Sequence, residues 1–511
     1  MHPGMNKQTI AGLFLATTLV GCNSDNNSSN VEPKETEITK LNIITANLWL
    51  SLSQNFNNES AFHTAVEEFK FAKADILLLS EASGISARLA ESLGMYYWQG
   101  DDSHTTTGIL SKYPIKSVFN DKPEDGYDQS GNIGAVLDVN GRDVVVWANH
   151  LDYTHYITYD ARGGNGISWQ AHTGCDPVSD AAKLDAMNAK SKRPAQTQYM
   201  LDKLAPYIKS GTPVFIGGDF NEASGLDWTA DTANMFDHKG TVYDFSTHKM
   251  IRDAGLIDSY RALFPDPVSH PGITWPFHIK DSWTQGASFL KECGRTLDDR
   301  DRIDYIYHNA NNSDLKLLSA SIIGPKANTY FEGPHGEDST YQWSDPHSGL
   351  MVNTHGTPFY GERDFVSDHL WYKTTYQIET PKDATATTSL NLNPEFSNVV
   401  LRNDGTDLAI DFTISNFQLW QEDRTYRLVV SGDSTSSRTN GWQSEVLTAK
   451  PNGKMTITVP PSVLTKLKTE AQLHNGLQLR IKSAIGGWHK QYAVNTIPTE
   501  EIEKIMTIPA L

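Results

Sequence analysis

Asn47, Glu81 and Asp368 are two carboxylates and an amide with no thiolate among them, the oxygen set that a hard divalent ion such as Mg²⁺ prefers. His369, beside Asp368, is suited to take a proton from water, and Asp304 is a candidate to hold its imidazole in one tautomer and stabilise the charged form. Asp219 and Asn221 lie two apart, so in a continuing strand both face one side. There they would align a nucleophile and a phosphate oxygen. His150 is left to donate to a developing oxyanion or leaving group. Phosphoester hydrolysis needs such parts: a metal to neutralise the phosphate, a positioned water and help for the departing oxygen. Each residue also has a plainer reading. Glu81 and Asp304 suit strand-end turns, Asn47 a turn cap, and His150 a satisfied structural histidine.

The elements that must position these groups are short apolar runs, each ending on one of them. They are Ile43-Ile44-Thr45-Ala46-Asn47, Asp75-Ile76-Leu77-Leu78-Leu79-Ser80-Glu81 and Val144-Val145-Val146-Trp147-Ala148-Asn149-His150, then Val214-Phe215-Ile216-Gly217-Gly218-Asp219-Phe220-Asn221 and Arg302-Ile303-Asp304-Tyr305-Ile306, with Ser367-Asp368-His369 closing the set. Between them Ala61, Phe62, Ala65, Val66 and Phe69 fall at helical spacing, and Pro194 opens a second helical stretch through Ile208. Strand-like and helical runs in alternation indicate an α/β core. Tyr153 to Lys192 and Pro276 to Arg300 lack periodicity and are too long for simple connections, so they are expected to form lids or walls.

At 511 residues, with 38% hydrophobic and 10% aromatic content, the chain is expected to hold two folded domains plus tails. Its net charge of −18 argues against broad non-specific nucleic-acid binding, though not against a small phosphate ester held by a metal. Lys7 and the apolar run Ile10 to Val20 fit a signal peptide over residues 1–21. Leu19-Val20-Gly21-Cys22 resembles a bacterial lipobox, which implies that Cys22 becomes a lipidated first residue; an ordinary cleaved signal is the alternative. The expected location is extracytoplasmic, at the outer membrane or cell surface, with the membrane as a partner through the anchor and residues 22–38 as a polar tether. Cys175 and Cys293 are then left as a disulfide pair tying two insertions, or as two free thiols. After residues 379–392, which read as a linker, residues 393–511 hold four half-buried strand patterns and no helix-rich one, as in a β-sandwich. Trp420, Trp442 and Trp488 there are either core residues or a sugar-stacking platform.

Thr45-Ala46-Asn47, Leu79-Ser80-Glu81, Asn149-His150-Leu151, Gly217-Gly218-Asp219-Phe220-Asn221, Arg302-Ile303-Asp304-Tyr305-Ile306 and Ser367-Asp368-His369, in that order, resemble the endonuclease/exonuclease/phosphatase (DNase I-like) superfamily over residues 39–378. The resemblance implies a four-layer α/β sandwich followed here by the smaller C-terminal β-sandwich, and a Mg²⁺ or Mn²⁺ site at one rim, with Ca²⁺ admissible. It places Glu81 with Asn47 and Asp368 around the metal, pairs His369 with Asp304 as the base, and gives Asp219 and Asn221 to water and phosphate. His150 becomes the partner of the leaving group. The expected function is a metal-dependent phosphodiesterase acting on small or lipid-derived phosphate esters. The alternatives are an extracellular nuclease and a non-catalytic surface protein whose C-terminal domain binds glycans. After His150 the chain departs from the family in an expanded segment carrying Tyr153, His155, Tyr156, Tyr159, Arg162 and Trp169. These either wall a pocket for a compact substrate or pack the insertion. Arg162-Gly163-Gly164-Asn165-Gly166 lacks the Lys-Ser/Thr of a phosphate-binding P-loop, and Lys192 and Arg193 read as solvated surface rather than phosphate contacts.

Overall fold

The apolar strands carry hydrophobic side chains on both faces, which requires a layer on each side. In the strand Thr36–Asn47, Leu41 and Ile43 point into one core while Ile44 and Ala46 point into another. Ile76 and Leu78 alternate with Leu77 and Leu79 in the same way. Val144, Val146 and Ala148 face the shared core, and Val145 and Trp147 face away from it. The computed structural model describes residues 35–52, 58–83, 85–99, 106–119, 131–276, 288–295, 297–324, 329–331, 341–345, 350–353, 366–385, 387–390, 395–404, 407–415, 425–432, 441–448, 453–483 and 491–506. Cys22, Trp420 and Trp488 lie outside them.

Two sheets stack on the shared core. One has seven strands, with Thr36–Asn47 between Trp371–Pro381 and Ile76–Ser80. The other has six, with Arg142–His150, Val214–Asp219 and Asp304–Asn309 adjacent. Helix Asn58–Phe71 lays Phe62, Ala65, Val66 and Phe69 over the outer face of the first sheet. Helix Arg193–Ser210, entered through Pro194 and stopped by left-handed Gly211, lays Met200, Leu201 and Leu204 over the second. The layers therefore run helix, sheet, sheet, helix. Each fully buried Leu, Ile, Val or Phe contributes about 1.5–3 kcal/mol.

Thr36–Ile38, read from sequence as tether, pair with Glu379–Pro381, so the first strand reaches back from the apolar run at Ile43 into the expected tether. In the C-terminal part Asp407–Ser415 pairs with Glu395–Asp404 and Lys454–Val459, and Thr425–Ser431 pairs with Leu477–Ser483. Leu408, Ile410, Leu428, Ile457 and Leu479 share one core. Two helices that the sequence reading did not anticipate, Pro461–His474 and Thr499–Met506, complete it. The first carries a Pro at its start and a left-handed Asn475 at its end, the punctuation that would have marked it.

Candidate active site

Sheet register assembles half of the site. His150 is the parallel neighbour of Asp219, and Asp219 is the antiparallel neighbour of Asp304. Cross-strand neighbours share a face, so these three side chains stand in a row across the end of the second sheet. In the first sheet Asn47 neighbours Ser80, with Glu81 next along the chain. Ser80 joins the sheets: its hydroxyl donates to the Asn149 carbonyl at 2.7 Å and accepts from the Asp219 N–H at 2.9 Å. The chain entering Trp371–Pro381 brings the last cluster, with Ser367 Oγ and Trp371 Nε1 donating to the Asn47 carbonyl at 2.8 and 3.2 Å.

His369 Nδ1 is 2.8 Å from Asp304 Oδ2, and its Nε2 lies 3.8 Å from Asp219 Oδ2 and 3.9 Å from Asp368 Oδ1. Burial opposes charge on this imidazole, yet the carboxylates of Asp304 and Asp368 and the hydrogen bond to Asp304 lift its pKa to about 10. Burial, with Asp304 nearby, pushes Asp219 up to about 7. Burial also raises Asp368. Burial works against ionised Glu81 too, but His150, the Leu50 N–H, His369 and Asn47 outweigh it and hold the carboxyl below its usual range. His150 is lowered by burial, with Glu81 opposing. Its Nδ1 is 2.8 Å from Thr106 Oγ1, and its Nε2 is 4.0 Å from Glu81 Oε1. With Thr106 donating, the proton of neutral His150 sits on Nε2. Thr106 carried no signal in the sequence: it lies just before the short strand Gly108–Ser111, which is not one of the apolar runs read there.

Three expectations change in detail. The strand ends at Asp219, so Asn221 does not reach the site by strand alternation. It takes left-handed backbone (φ 46°), its N–H donates to Asp219 Oδ1 at 2.8 Å, and its Nδ2 donates to the Leu151 carbonyl at 2.9 Å. Asn47 donates Nδ2 to both Glu81 Oε1 and Asp219 Oδ2 at 3.0 Å, while its Oδ1 accepts from the Trp49 N–H at 2.8 Å. Holding a cation through its oxygen would require that amide to turn over. Arg193 is fully buried rather than solvated; it binds the carbonyls of Asp152, Thr154 and His155 at 2.6–2.8 Å.

The donor set fits a hard divalent ion. Asp304 Oδ1 and Asp368 Oδ1 are buried without a hydrogen-bond partner, which costs free energy unless a cation takes them up. Among the described residues, ligand atoms of Asp219, Asp304 and His369 lie within 4.8 Å of one another. That trio differs from Asn47, Glu81 and Asp368; Asp219 and His369 of the one and Glu81 and Asp368 of the other line the same cavity. The cavity is a cleft of about 780 Å³, and its sides are Trp49, Leu50, Tyr153, Tyr156, Tyr159 and Trp169. Tyr156 and Tyr159 also pack the insertion, in one cluster with Trp275, Phe289 and Leu297. Arg162 does not reach the cleft. It is buried in a double contact with Asp301, at 2.5 and 3.0 Å. Left-handed Gly163 simply ends the helix Ile157–Arg162. Cys175 and Cys293 form a disulfide with Cα atoms 5.9 Å apart, joining the two long insertions.

The sequence model of the Endonuclease/Exonuclease/phosphatase family matches residues 44–369. An uncharacterized Caenorhabditis elegans protein, F14F9.5, is 26% identical over 294 residues, covering 55% of this chain and 82% of that one. Among solved structures, humanized D. rerio TDP2 is 14% identical, with 66% of this chain and 98% of that chain covered and a TM-score of 0.35. The endonuclease/exonuclease/phosphatase from Beutenbergia cavernae is 16% identical, with coverages of 90% and 99% and a TM-score of 0.34. Beta toxin from Staphylococcus aureus is 15% identical, with coverages of 65% and 99% and a TM-score of 0.33.

Proposed function

We propose that this chain, which belongs to the endonuclease/exonuclease/phosphatase family, is a phosphodiesterase that hydrolyses small or lipid-derived phosphate esters by direct attack of water. The family is one of metal-dependent phosphoesterases and nucleases. The observation that carries the reading is the buried His369–Asp304 pair at 2.8 Å, facing Asp219 at the foot of the cleft. Glu81, Asp368 and Asp219, with Asn47 once its amide turns over, would hold a divalent ion, whose charge would neutralise a phosphoryl oxygen and offset the carboxylates that keep His369 protonated. Asp304 keeps the Nδ1 proton in place, leaving Nε2 to take a proton from water. Asp219 and the Asn221 turn fix where that water stands. His150, its Nδ1 occupied by Thr106, directs Nε2–H at the leaving oxygen.

The test is hydrolysis of a chromogenic phosphodiester against the matching monoester, with Mg²⁺, Mn²⁺, Ca²⁺ or EDTA. Diester cleavage that EDTA abolishes, and that falls by about 10²–10⁴-fold in His369→Ala, is the expected result. Hydrolysis indifferent to metal and to His369 would sink the assignment. A nuclease is the second reading, since the family includes such enzymes; the net charge of −18 is unfavourable to a polyphosphate strand. Salt-sensitive cleavage of plasmid DNA exceeding diester turnover would replace the first reading with this one. The lipobox-like Leu19–Cys22 supports an extracytoplasmic lipoprotein, which labelling with a radioactive fatty acid would check.

A further inference from the structure

The side of the cleft above the reacting groups is a continuous run of aromatic rings that begins at the site itself. Trp275 donates Nε1–H to Asp368 Oδ2 at 3.2 Å, and its ring centroid lies 6.2 Å from that of His369. Tyr156 packs edge-on to Trp275 at 6.4 Å, Tyr159 to Tyr156 at 5.0 Å, and Trp169 to Tyr159 at 5.5 Å. At the mouth, Tyr153 and Leu50 line the cleft from separate segments and are 58% and 55% exposed. Large apolar side chains left in water inside a concave site mark a ligand surface. The run is held rigidly. Arg193 grips the carbonyls on both sides of Tyr153, and the Cys175–Cys293 disulfide ties the segment bearing Trp169 to the segment bearing Phe289.

We propose that this aromatic face is the specificity-determining surface of the site and receives an apolar group, aryl or alkyl, borne by the ester beside its phosphorus. The inference rests on the phosphoester reading above, since it places phosphorus at the foot of the cleft. Its basis is continuity: the rings start at a side chain that binds Asp368 and packs beside His369, and the buried Tyr156 and Tyr159 back the accessible Tyr153 and Trp169, which a substituent leaving phosphorus on that side would meet.

Calorimetric titration of the metal-loaded protein with methyl-, phenyl- and octylphosphonate tests it, beside turnover of the chromogenic diester. Phenyl- or octylphosphonate should bind about tenfold or more tightly than methylphosphonate, and the pair separates a planar from a chain-like seat. In Tyr153→Ala, a change at an exposed position, and in Trp169→Ala, that advantage should shrink toward one. Equal affinity for all three, or an advantage unmoved by both substitutions, overturns the inference while diester turnover keeps the parent reading standing. An affinity gradient without any turnover supports the apolar seat and overturns the phosphodiesterase reading instead.

Discussion

At His369 the surrounding charge is arranged for one tautomer and one orientation, and Asp304 is the group that imposes both. Asp304→Asn keeps the size of the side chain but removes the charge and offers an N–H where the ring needs an acceptor. We expect kcat on the diester to fall by about 10²–10⁴-fold with little change in KM; a loss under threefold would remove Asp304 from the dyad. Asp160 makes a different prediction, about stability. It is raised to about 6 by burial, opposed by His172, whose Nε2 lies 3.0 Å away. A carboxyl with a folded pKa above its unfolded value adds stability below the unfolded pKa, near 4, and loses that contribution as pH rises through 6. Its ionisation therefore costs up to about 3 kcal/mol above pH 6. Thermal melts should show the protein losing stability between pH 4 and 7 relative to Asp160→Asn, and parallel curves for the two would refute this.

Among the elements, the strand carrying Asp219 passes the strand carrying His150 too closely for a side chain at Gly218. A Cβ there would sit 2.0 Å from the Asn149 carbonyl oxygen, at a backbone φ of +145°. Gly218→Ala should cost about 3 kcal/mol or more and displace Asp219; an unchanged urea midpoint would show that the sheet gives way. The turn after Asn47 is the opposite case. Trp49, Leu50, Ser51 and Leu52 all hold left-handed backbone (φ 38°, 51°, 59° and 65°), each at a cost of about 1–2 kcal/mol. The turn is retained where the Leu50 N–H donates to Glu81 Oε2 at 2.5 Å. Leu50→Gly relieves the backbone and keeps that donor, so Tm should hold or rise where glycine usually lowers it. A fall of several degrees would contradict the left-handed turn.

For the whole molecule, the disulfide spans 118 residues of sequence, and closing a loop of that length restricts the unfolded chain by about 4–5 kcal/mol. Calorimetry with and without reductant should show a clear loss of Tm on reduction, and an unchanged Tm would show the insertions held by packing alone. The linker is less free than its composition suggests. Thr387 N–H donates to Asp138 Oδ2 at 3.0 Å, Leu390 N–H to the Ile115 carbonyl at 2.8 Å, and Tyr97 packs against the C-terminal core. A chain ended near Thr385 should keep turnover on soluble esters, with any loss of surface retention assigned to residues 393–511. Lost turnover would mean that the catalytic part needs those contacts.

Much of this was legible in the chain. Strand runs such as Ile43–Asn47 and Val144–His150 declare themselves because a strand buried on both faces is apolar throughout and must end where polar side chains become useful. The candidate groups His150, Asp219 and Asp304 are legible for the same reason, each ending or adjoining such a run, whereas His369 is legible from the Ser367-Asp368-His369 cluster ahead of the alternately buried strand Trp371–Pro381. What the sequence alone determined was therefore the strands that carry the site and the chemistry at their tips, though not the helices Pro461–His474 and Thr499–Met506. Tertiary structure decided which tips meet and how. Register set His150, Asp219 and Asp304 in one row, a left-handed turn rather than strand alternation placed Asn221, and packing buried Arg193 and Arg162 away from any ligand. Thr106 and Trp275 joined the site only in space. Local pattern reports which face of an element is apolar, whereas contacts between residues distant in sequence depend on how whole sheets stack, and no local window contains that information.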